Sequence, residues 1–581
     1  MRSFFKIVLA VIIGFAIITL IPLMLLGLLG TLSFDEPDHN ITENSILEID
    51  FKTPIIESYD DIEFSFTNLR ASHVTLYNLL LAINKAKEDD RIKGISLRLN
   101  GSTTDYAQAQ AIRNTLANFK SANKFIYAHG NDLSQKDYYI GSIADSIFVS
   151  PLSAIELKGI SAEIMFYKKL FDKIGLEFEI IKRGKYKSAV EPYFLDYMSP
   201  ESKKQTQVLI DDIWNNISSE IALSRNLPLE QLNLLTDSLK AFNIKGALQN
   251  TLIDGIKYES QYKELLGINT ADESNQESPV ISMSNYISSL KKPFNKDQIA
   301  IIYASGTIIP GNESEGIQDQ NIIKKIQQVK EDTSVKAVVL RVNSPGGDAS
   351  SSERILHELR LLQKVKPLIV SFGSVAASGG YYIAGAADSI VASPNTITGS
   401  IGVFGTIPNL KKLSEKIGVN TDVTKTNANS NIFSISTEIS PKFKQVIQEK
   451  IDNVYDLFLE NVAQNRKVSK SEIDSIAQGR VWSGIKAKEN GLVDVLGDLN
   501  TAISIAAKKA DIEHFDILQL PKKKSEVEML MNKFGDEEQI LLETLIRKNI
   551  SPEIYNSYNE INYLRNSESI HLKLPYMIEL K

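Results

Sequence analysis

Tyr138-Tyr-Ile-Gly-Ser-Ile-Ala-Asp-Ser-Ile-Phe-Val-Ser-Pro151 recurs 243 residues later as Tyr381-Tyr-Ile-Ala-Gly-Ala-Ala-Asp-Ser-Ile-Val-Ala-Ser-Pro394, with nine of fourteen positions identical. At the same offset, and without gaps, Lys93-Gly-Ile-Ser-Leu-Arg-Leu-Asn100 aligns with Lys336-Ala-Val-Val-Leu-Arg-Val-Asn343. Lys168-Lys-Leu-Phe-Asp-Lys-Ile-Gly175 likewise aligns with Lys411-Lys-Leu-Ser-Glu-Lys-Ile-Gly418. Self-similarity at a fixed offset marks a duplicated unit, so the 581 residues are read as two related domains instead of one core. In the second copy, Ile299–Ile308, Val335–Val342 and Pro367–Val375 are short apolar runs suited to buried strands. Helical patterns alternate with them: Asn321–Lys330, and a helix to about Val365 opened by a capping box of Ser350 with Glu353. Strands alternating with helices predict an α/β fold with mainly parallel pairing. The resulting plan is an N-terminal anchor at 1–34, a first domain at 45–268, a polar linker at 269–292, a second domain at 293–512 and a C-terminal extension at 513–581.

Composition narrows the functional classes. With 64 Lys and Arg against 71 Asp and Glu, the net charge of −7 supplies no basic surface for a phosphate backbone, and nucleic acid is not an expected partner. The absence of cysteine excludes thiol nucleophiles, thiolate metal sites and disulfides. The six histidines are not spaced as metal ligands, so neither a metal nor another cofactor is expected. From Ile7 to Phe34 no residue carries a formal charge, which is more than the roughly 20 apolar residues that cross a bilayer as a helix. Arg2 and Lys6 precede this run while Asp35, Glu36 and Asp38 follow it, so the positive-inside rule predicts a single-pass anchor with everything after it exported.

Differences between the two copies point to the chemistry. Ser374-Val-Ala-Ala-Ser378-Gly379-Gly380 follows an apolar strand and leads into a small-residue segment, whereas the register of Ser378 holds Gln135 in the first copy. A serine at a strand-to-helix transition sits among outward-pointing N–H groups, which suits a nucleophile, although a helix cap flanked by close-packing small residues reads the same way. Asn343-Ser-Pro-Gly-Gly347 ends the preceding strand, and its paired glycines can aim an N–H into a cleft or simply make a turn. A serine nucleophile needs a base. His129 and His357 are the only histidines near these segments or their equivalents, and neither is well placed. A lysine serves if burial lowers its pKa. Lys182-Arg-Gly-Lys185-Tyr-Lys187-Ser-Ala-Val-Glu-Pro192 concentrates cations in the first copy, and Lys187 falls on Ser430 in the second. Each copy would then hold one part of a dyad that neither completes; the alternative is a solvated basic loop.

Taken together, Tyr186-Lys-Ser-Ala-Val-Glu-Pro192, Arg341-Val-Asn-Ser-Pro-Gly-Gly347, Ser374–Tyr382, Thr398-Gly-Ser-Ile-Gly-Val-Phe404 and Gly479-Arg-Val-Trp-Ser-Gly484 with Gly491-Leu-Val-Asp494 resemble the signal peptide peptidase A (protease IV) family. The likeness is to its long form, with two tandem domains of the Clp-peptidase/crotonase superfamily, and covers nearly all of residues 40–510. The resemblance implies a serine endopeptidase with a Ser/Lys dyad: Ser378 as nucleophile, Lys187 as general base with Lys185 as the alternative, and Ser400 orienting the amine. It also implies an oxyanion hole from the N–H of Gly379 and of Gly346 or Gly347. Signal peptides and other apolar peptides are the implied substrates, and a homotetramer the implied assembly. With the anchor at 7–34 in the lipid bilayer, the expected location is the inner (cytoplasmic) membrane with the catalytic domains on the periplasmic side. Two competing readings are a crotonase-like enzyme acting on acyl-CoA thioesters, which an exported chain would not meet, and a non-catalytic membrane scaffold.

Overall fold

In the computed structural model the chain is described at residue 14 and at residues 41–59, 73–268, 279–290, 295–312, 316–522 and 571–573. The run at 7–34 therefore lies, residue 14 apart, outside the described residues. Among the described residues no helix is long and apolar enough to cross a membrane.

The duplication appears as two largely parallel sheets, with Val481–Ser483 antiparallel at the edge of the second. The first runs, in spatial order, Gly255–Ile256, Ser146–Val149, Phe125–Gly130, Ile92–Leu99, Ser45–Asp50 and Val280–Ser282. The second runs Val481–Ser483, Ile397–Gly399, Leu368–Ala377, Val335–Ser344, Gln298–Ser305 and Asp516–Leu520, with Ser389–Ala392 also paired to Leu368–Ala377. Strands starting at Ile92, Phe125 and Ser146 have counterparts starting at Val335, Leu368 and Ser389, each at the offset seen in the sequence. The central strands of the second sheet are buried along most of their length, as expected where helices cover both faces of a parallel sheet.

Local differences from the sequence reading have identifiable causes. The run Ile299–Ile308 is broken: Gln298–Ser305 ends before Gly306, and Ile308–Ile309 begins a strand of a different sheet. Helix Ala349–Gln363 is capped by Asp348, whose side chain accepts from Ser351 N at 2.7 Å, in place of the Ser350–Glu353 box. A carboxylate two residues earlier simply reaches the free N–H first, with the helix dipole favouring its charge. Part of the stretch read as linker belongs to the first sheet: Val280–Ser282 is its edge strand, and Met283 and Tyr286 of the following helix are buried in its core. Asp516–Leu520, beyond residue 512, pairs with Gln298–Ser305 and extends the second sheet.

A third sheet joins the copies. Its order is Ile317–Gln318, Ile308–Ile309, Gly346–Asp348, His571–Lys573, Val403–Asn409 and Glu177–Arg183. Glu177–Arg183 of the first copy runs antiparallel to Val403–Asn409 of the second over seven residue pairs, from Val403 with Arg183 to Asn409 with Glu177. The copies also share apolar contacts, since Ala377, Ile397 and Val481 pack into the first copy's core. Glu57 and Arg341 form a bidentate ion pair across the junction, at 2.8 and 3.0 Å, with both side chains buried.

Candidate active site

The cross-copy strand pair decides where Lys187 goes. Four residues after Arg183, the chain has turned back so that Lys187 lies against the second copy, with no exposed surface. Gly479 makes this approach possible: a Cβ there would fall 2.6 Å from both the Lys187 Cβ and its backbone nitrogen, and its φ of +77° is itself a conformation that favours glycine. Tyr186 N donates to Gln478 O at 2.9 Å, and Gln205 clamps the loop from helix Pro200–Ser224. Its Nε2 donates to Tyr186 O and Ser188 Oγ, both at 3.0 Å, while its Oε1 accepts from Val481 N at 3.3 Å.

Ser378 ends strand Leu368–Ala377 and precedes helix Gly379–Ile383, with φ +55° and ψ −114°. Although it occupies the helix N-cap position, its side chain makes no capping bond. Its Oγ instead accepts from Lys187 Nζ at 2.7 Å. Ser400, also at positive φ (+50°), presents both its carbonyl and its Oγ to the same nitrogen, each at 3.0 Å. The backbone of both serines is pinned, Ser378 N to Gly399 O at 2.9 Å and Ser400 N to Arg480 O at 2.7 Å. Non-glycine residues in such conformations typically cost about 1–3 kcal/mol each and persist only where their surroundings over-determine them.

Electrostatics follow from this enclosure. Lys187 is wholly buried, and burial alone pushes its amine well below the usual lysine range. Among the described residues no carboxylate forms an ion pair with it, so nothing offsets the loss of hydration. A neutral amine accepts a proton through its lone pair, so the arrangement suits removal of a proton from Ser378 Oγ.

The strand Gly346–Asp348 borders the same place. Gly347 approaches the neighbouring strand so closely that a Cβ would meet Ile308 O at 2.0 Å. Gly346 N donates to Ser344 Oγ at 3.1 Å. Gly379 is buried at the first turn of the helix opened by Ser378.

The other candidates lie elsewhere. Lys185 is exposed, with its Nζ over the Tyr186 ring at 5.2 Å. His129 stacks on Tyr262 and bonds Lys257 O through Nε2, and His357 sits within helix Ala349–Gln363. Ser430, the counterpart of Lys187, is exposed. Gln135, the counterpart of Ser378, fills its own position with bonds: Nε2 donates to Tyr106 Oη at 2.8 Å and Gly159 O at 3.1 Å, and Oε1 accepts from Lys158 N and Gly159 N. Among the described residues no group of three His, Asp or Glu could hold a metal ion. Gln205 escaped the sequence reading, because a glutamine inside a long amphipathic helix carries no local signal. Gly479 stood within a quoted motif, but its contact with Lys187 depends on the fold.

Comparison with known proteins bears on this geometry. The model of peptidase family S49 matches residues 118–269 and 360–513, and a Clp protease model matches residues 291–398. The chain belongs to peptidase family S49. It is 34% identical over 509 residues to "Protease 4" of Salmonella typhi, covering 86% of this chain and 82% of that protein. "Protease 4" of Haemophilus influenzae is 34% identical over 464 residues, covering 76% of this chain and 75% of its own length. "Serine protease SPPA, chloroplastic" of Arabidopsis thaliana is 32% identical over 443 residues, covering 74% of this chain and 64% of that protein. This S49 member is a serine protease with a duplicated α/β, Clp-protease-like architecture.

Proposed function

We propose that this S49 protease is a membrane-anchored endopeptidase that degrades cleaved signal peptides and other apolar peptides through Ser378 and Lys187. The observation that carries the reading is the 2.7 Å contact from a wholly buried lysine amine of one copy to the serine hydroxyl of the other. Neutral Lys187 takes the Ser378 proton as Oγ bonds to the peptide carbonyl carbon, and the carbonyl oxygen becomes an oxyanion. The N–H of Gly379 and of Gly346 or Gly347 receive that charge. Collapse breaks the C–N bond; the Lys187 ammonium returns its proton to the leaving amine, leaving an ester on Ser378. Water, deprotonated by Lys187, attacks the ester and restores both residues. Ser400 holds the amine on its path through two contacts at 3.0 Å.

The substrate class is supported by relatives, one of which bears the name "Putative signal peptide peptidase SppA" from Enterococcus faecium. Anchoring through 7–34, with the catalytic domains on the periplasmic face of the inner membrane, is supported by the length of the uncharged run and the flanking charges. It would keep the enzyme beside apolar peptides left in the bilayer. Assembly into a homotetramer belongs to the same reading and comes from the family resemblance of the sequence. The test is hydrolysis of a leucine-rich fluorogenic peptide by the full chain in detergent, wild type beside Ser378→Ala, together with labelling by a fluorophosphonate. Activity and labelling should both vanish in Ser378→Ala. Equal hydrolysis by the two proteins would remove Ser378 as the nucleophile.

A further inference from the structure

We infer that Gln205 is a positioning residue for the proposed general base: its side-chain amide fixes the loop on both sides of Lys187 to the segment of the second copy that holds Ser400. This inference rests on the peptidase reading.

The setting of Gln205 on its helix is the first observation. Within Pro200–Ser224 it stands at four-residue spacing with Leu209, Ile213 and Ile217, which belong to the first copy's core, and it is 2% exposed. A polar group on such a stripe is costly to bury unless it is bonded. Both Nε2 protons are used, one on Tyr186 O and one on Ser188 Oγ, the residues on either side of Lys187. Oε1 accepts from Val481 N of the other copy. An amide carries these donors and the acceptor together, whereas a carboxylate lacks the donors and an apolar side chain of the same length lacks all three.

The far end of the clamp shapes the surroundings of the amine. Val481 follows two residues that hold the Ser400 turn: Gly479 N donates to Ile401 O, and Arg480 O accepts from Ser400 N, both at 2.7 Å. Gln205 therefore ties the chain that carries the base to the chain that carries the group orienting it, though none of its three bonds reaches a reacting atom. The duplication supplies a comparison. Helix Pro441–Arg466 opens on the same Ser-Pro pair 241 residues later, Ser199 accepting from Ser202 N in one copy and Ser440 from Phe443 N in the other. At that offset Gln205 falls on Val446, which is 45% exposed. The copy whose loop lacks the lysine also lacks the clamp.

A second grip on the same strand separates positioning from helix docking. Two turns beyond Gln205, Asp212 Oδ2 accepts from Ser483 Oγ at 2.7 Å, but this bond does not reach the Lys187 loop. The charged groups around that loop are Lys182, whose Nζ donates to Lys187 O at 3.4 Å, Lys185 and Arg480 over the Tyr186 ring, Glu191 accepting from Ser199, and Asp474 accepting from Gln478 Nε2. Burial, not any of these charges, holds the Lys187 amine down. Releasing the clamp lets the loop part from Gly479 and admits water to the amine, which restores part of the hydration that burial denies.

The test follows hydrolysis of the leucine-rich fluorogenic peptide from pH 6 to 10 by the full chain in detergent, as wild type, Gln205→Met, Asp212→Ala and Ser378→Ala. For Gln205→Met, kcat at pH 7 should fall about ten-fold or more with KM nearly constant, and the rising limb of the profile should move about one unit or more to higher pH. Asp212→Ala should lower Tm and leave the limb where the wild type has it. A Gln205→Met limb that coincides with the wild type, or an Asp212→Ala limb displaced as far, overturns the inference, since either result reduces Gln205 to holding the helix in place. If Gln205→Met does not fold, Ser188→Ala decides, because it removes one of the three bonds: a smaller displacement in the same direction supports the inference, and none refutes it. Ser378→Ala keeps the two failures apart. Hydrolysis lost in Ser378→Ala leaves the peptidase reading standing whatever Gln205 does, while hydrolysis retained there removes that reading and this inference with it.

Discussion

Replacing Lys187 with Met keeps most of the side-chain volume but removes the amine, and its effect on stability separates a neutral lysine from a charged one. In the folded chain burial holds the Lys187 pKa well below its ordinary value, whereas in the unfolded chain it returns to about 10.4. Between those two values the unfolded chain binds one more proton than the folded chain, so stability rises with pH. The gain approaches about 1.4 kcal/mol per pH unit, the free energy of one proton over one unit. Below the folded pKa the penalty of burying this group is constant, and above the ordinary lysine value it is gone. The substitution also strips the three contacts to Ser378 Oγ, Ser400 O and Ser400 Oγ. Leaving those groups unpaired costs about 1–3 kcal/mol, but that loss does not vary with pH over this range. The offset between the two proteins therefore mixes two effects, while the slope of their difference isolates the proton. At about 2 cal/mol/K of unfolding entropy per residue, that slope corresponds to a Tm difference changing by about 1 °C per pH unit if the chain melts as a unit, and about 2–3 °C if the copies melt separately. Calorimetric Tm values for wild type and Lys187→Met between pH 7 and pH 10 should converge or cross, with wild type gaining as pH rises. Parallel curves would mean that folded Lys187 keeps its proton, and the reading of it as a general base would fail.

Peptide hydrolysis by the wild type should rise with pH as the folded Lys187 loses its proton; a kcat/KM profile flat from pH 6 to 9, with chemistry rate-limiting, would contradict a lysine base. Gly479→Ala puts a methyl 2.6 Å from Lys187 Cβ at a φ of +77°, and kcat should fall at least ten-fold as the amine is displaced, with little change in the melting of the sheets. Ser400→Ala removes one of the two acceptors that orient Nζ, and kcat should drop about ten-fold or more with KM nearly constant, as for loss of a group that acts on positioning alone. Arg341→Met leaves Glu57 buried and uncompensated, which should cost about 3–5 kcal/mol in urea unfolding, while the double variant with Glu57→Gln should recover part of that loss.

Much of the architecture was legible because it is local or repeated. The strands Val335–Ser344 and Leu368–Ala377 start within a residue of where apolar runs placed them and end two residues later, since burial on both faces writes a continuous hydrophobic signature. Comparing the copies brought Ser378 and Lys187 forward as candidates, because a duplicated chain is its own control and Gln135 and Ser430 occupy the matching positions; the preference for Lys187 over Lys185 came from the family resemblance. The sequence reading misplaced what competes at short range. Asp348 outbids Ser350 as the helix cap, and Gly306 splits an apolar run that periodicity alone makes continuous.

By itself, then, the sequence determined the duplication and the α/β alternation, which depend on residue type and spacing, and it brought forward Ser378 and Lys187 as candidates with complementary chemistry. Only the tertiary structure decided that Glu177–Arg183 crosses to pair with Val403–Asn409, which brings Lys187 to Ser378 across 191 residues of chain. The same holds for the clamp of Gln205, the gap that Gly479 leaves for Lys187, and the strand at 571–573. These are pairings between distant segments, settled by which edges and surfaces remain unsatisfied once the sheets have formed, and no periodicity within a single segment records them.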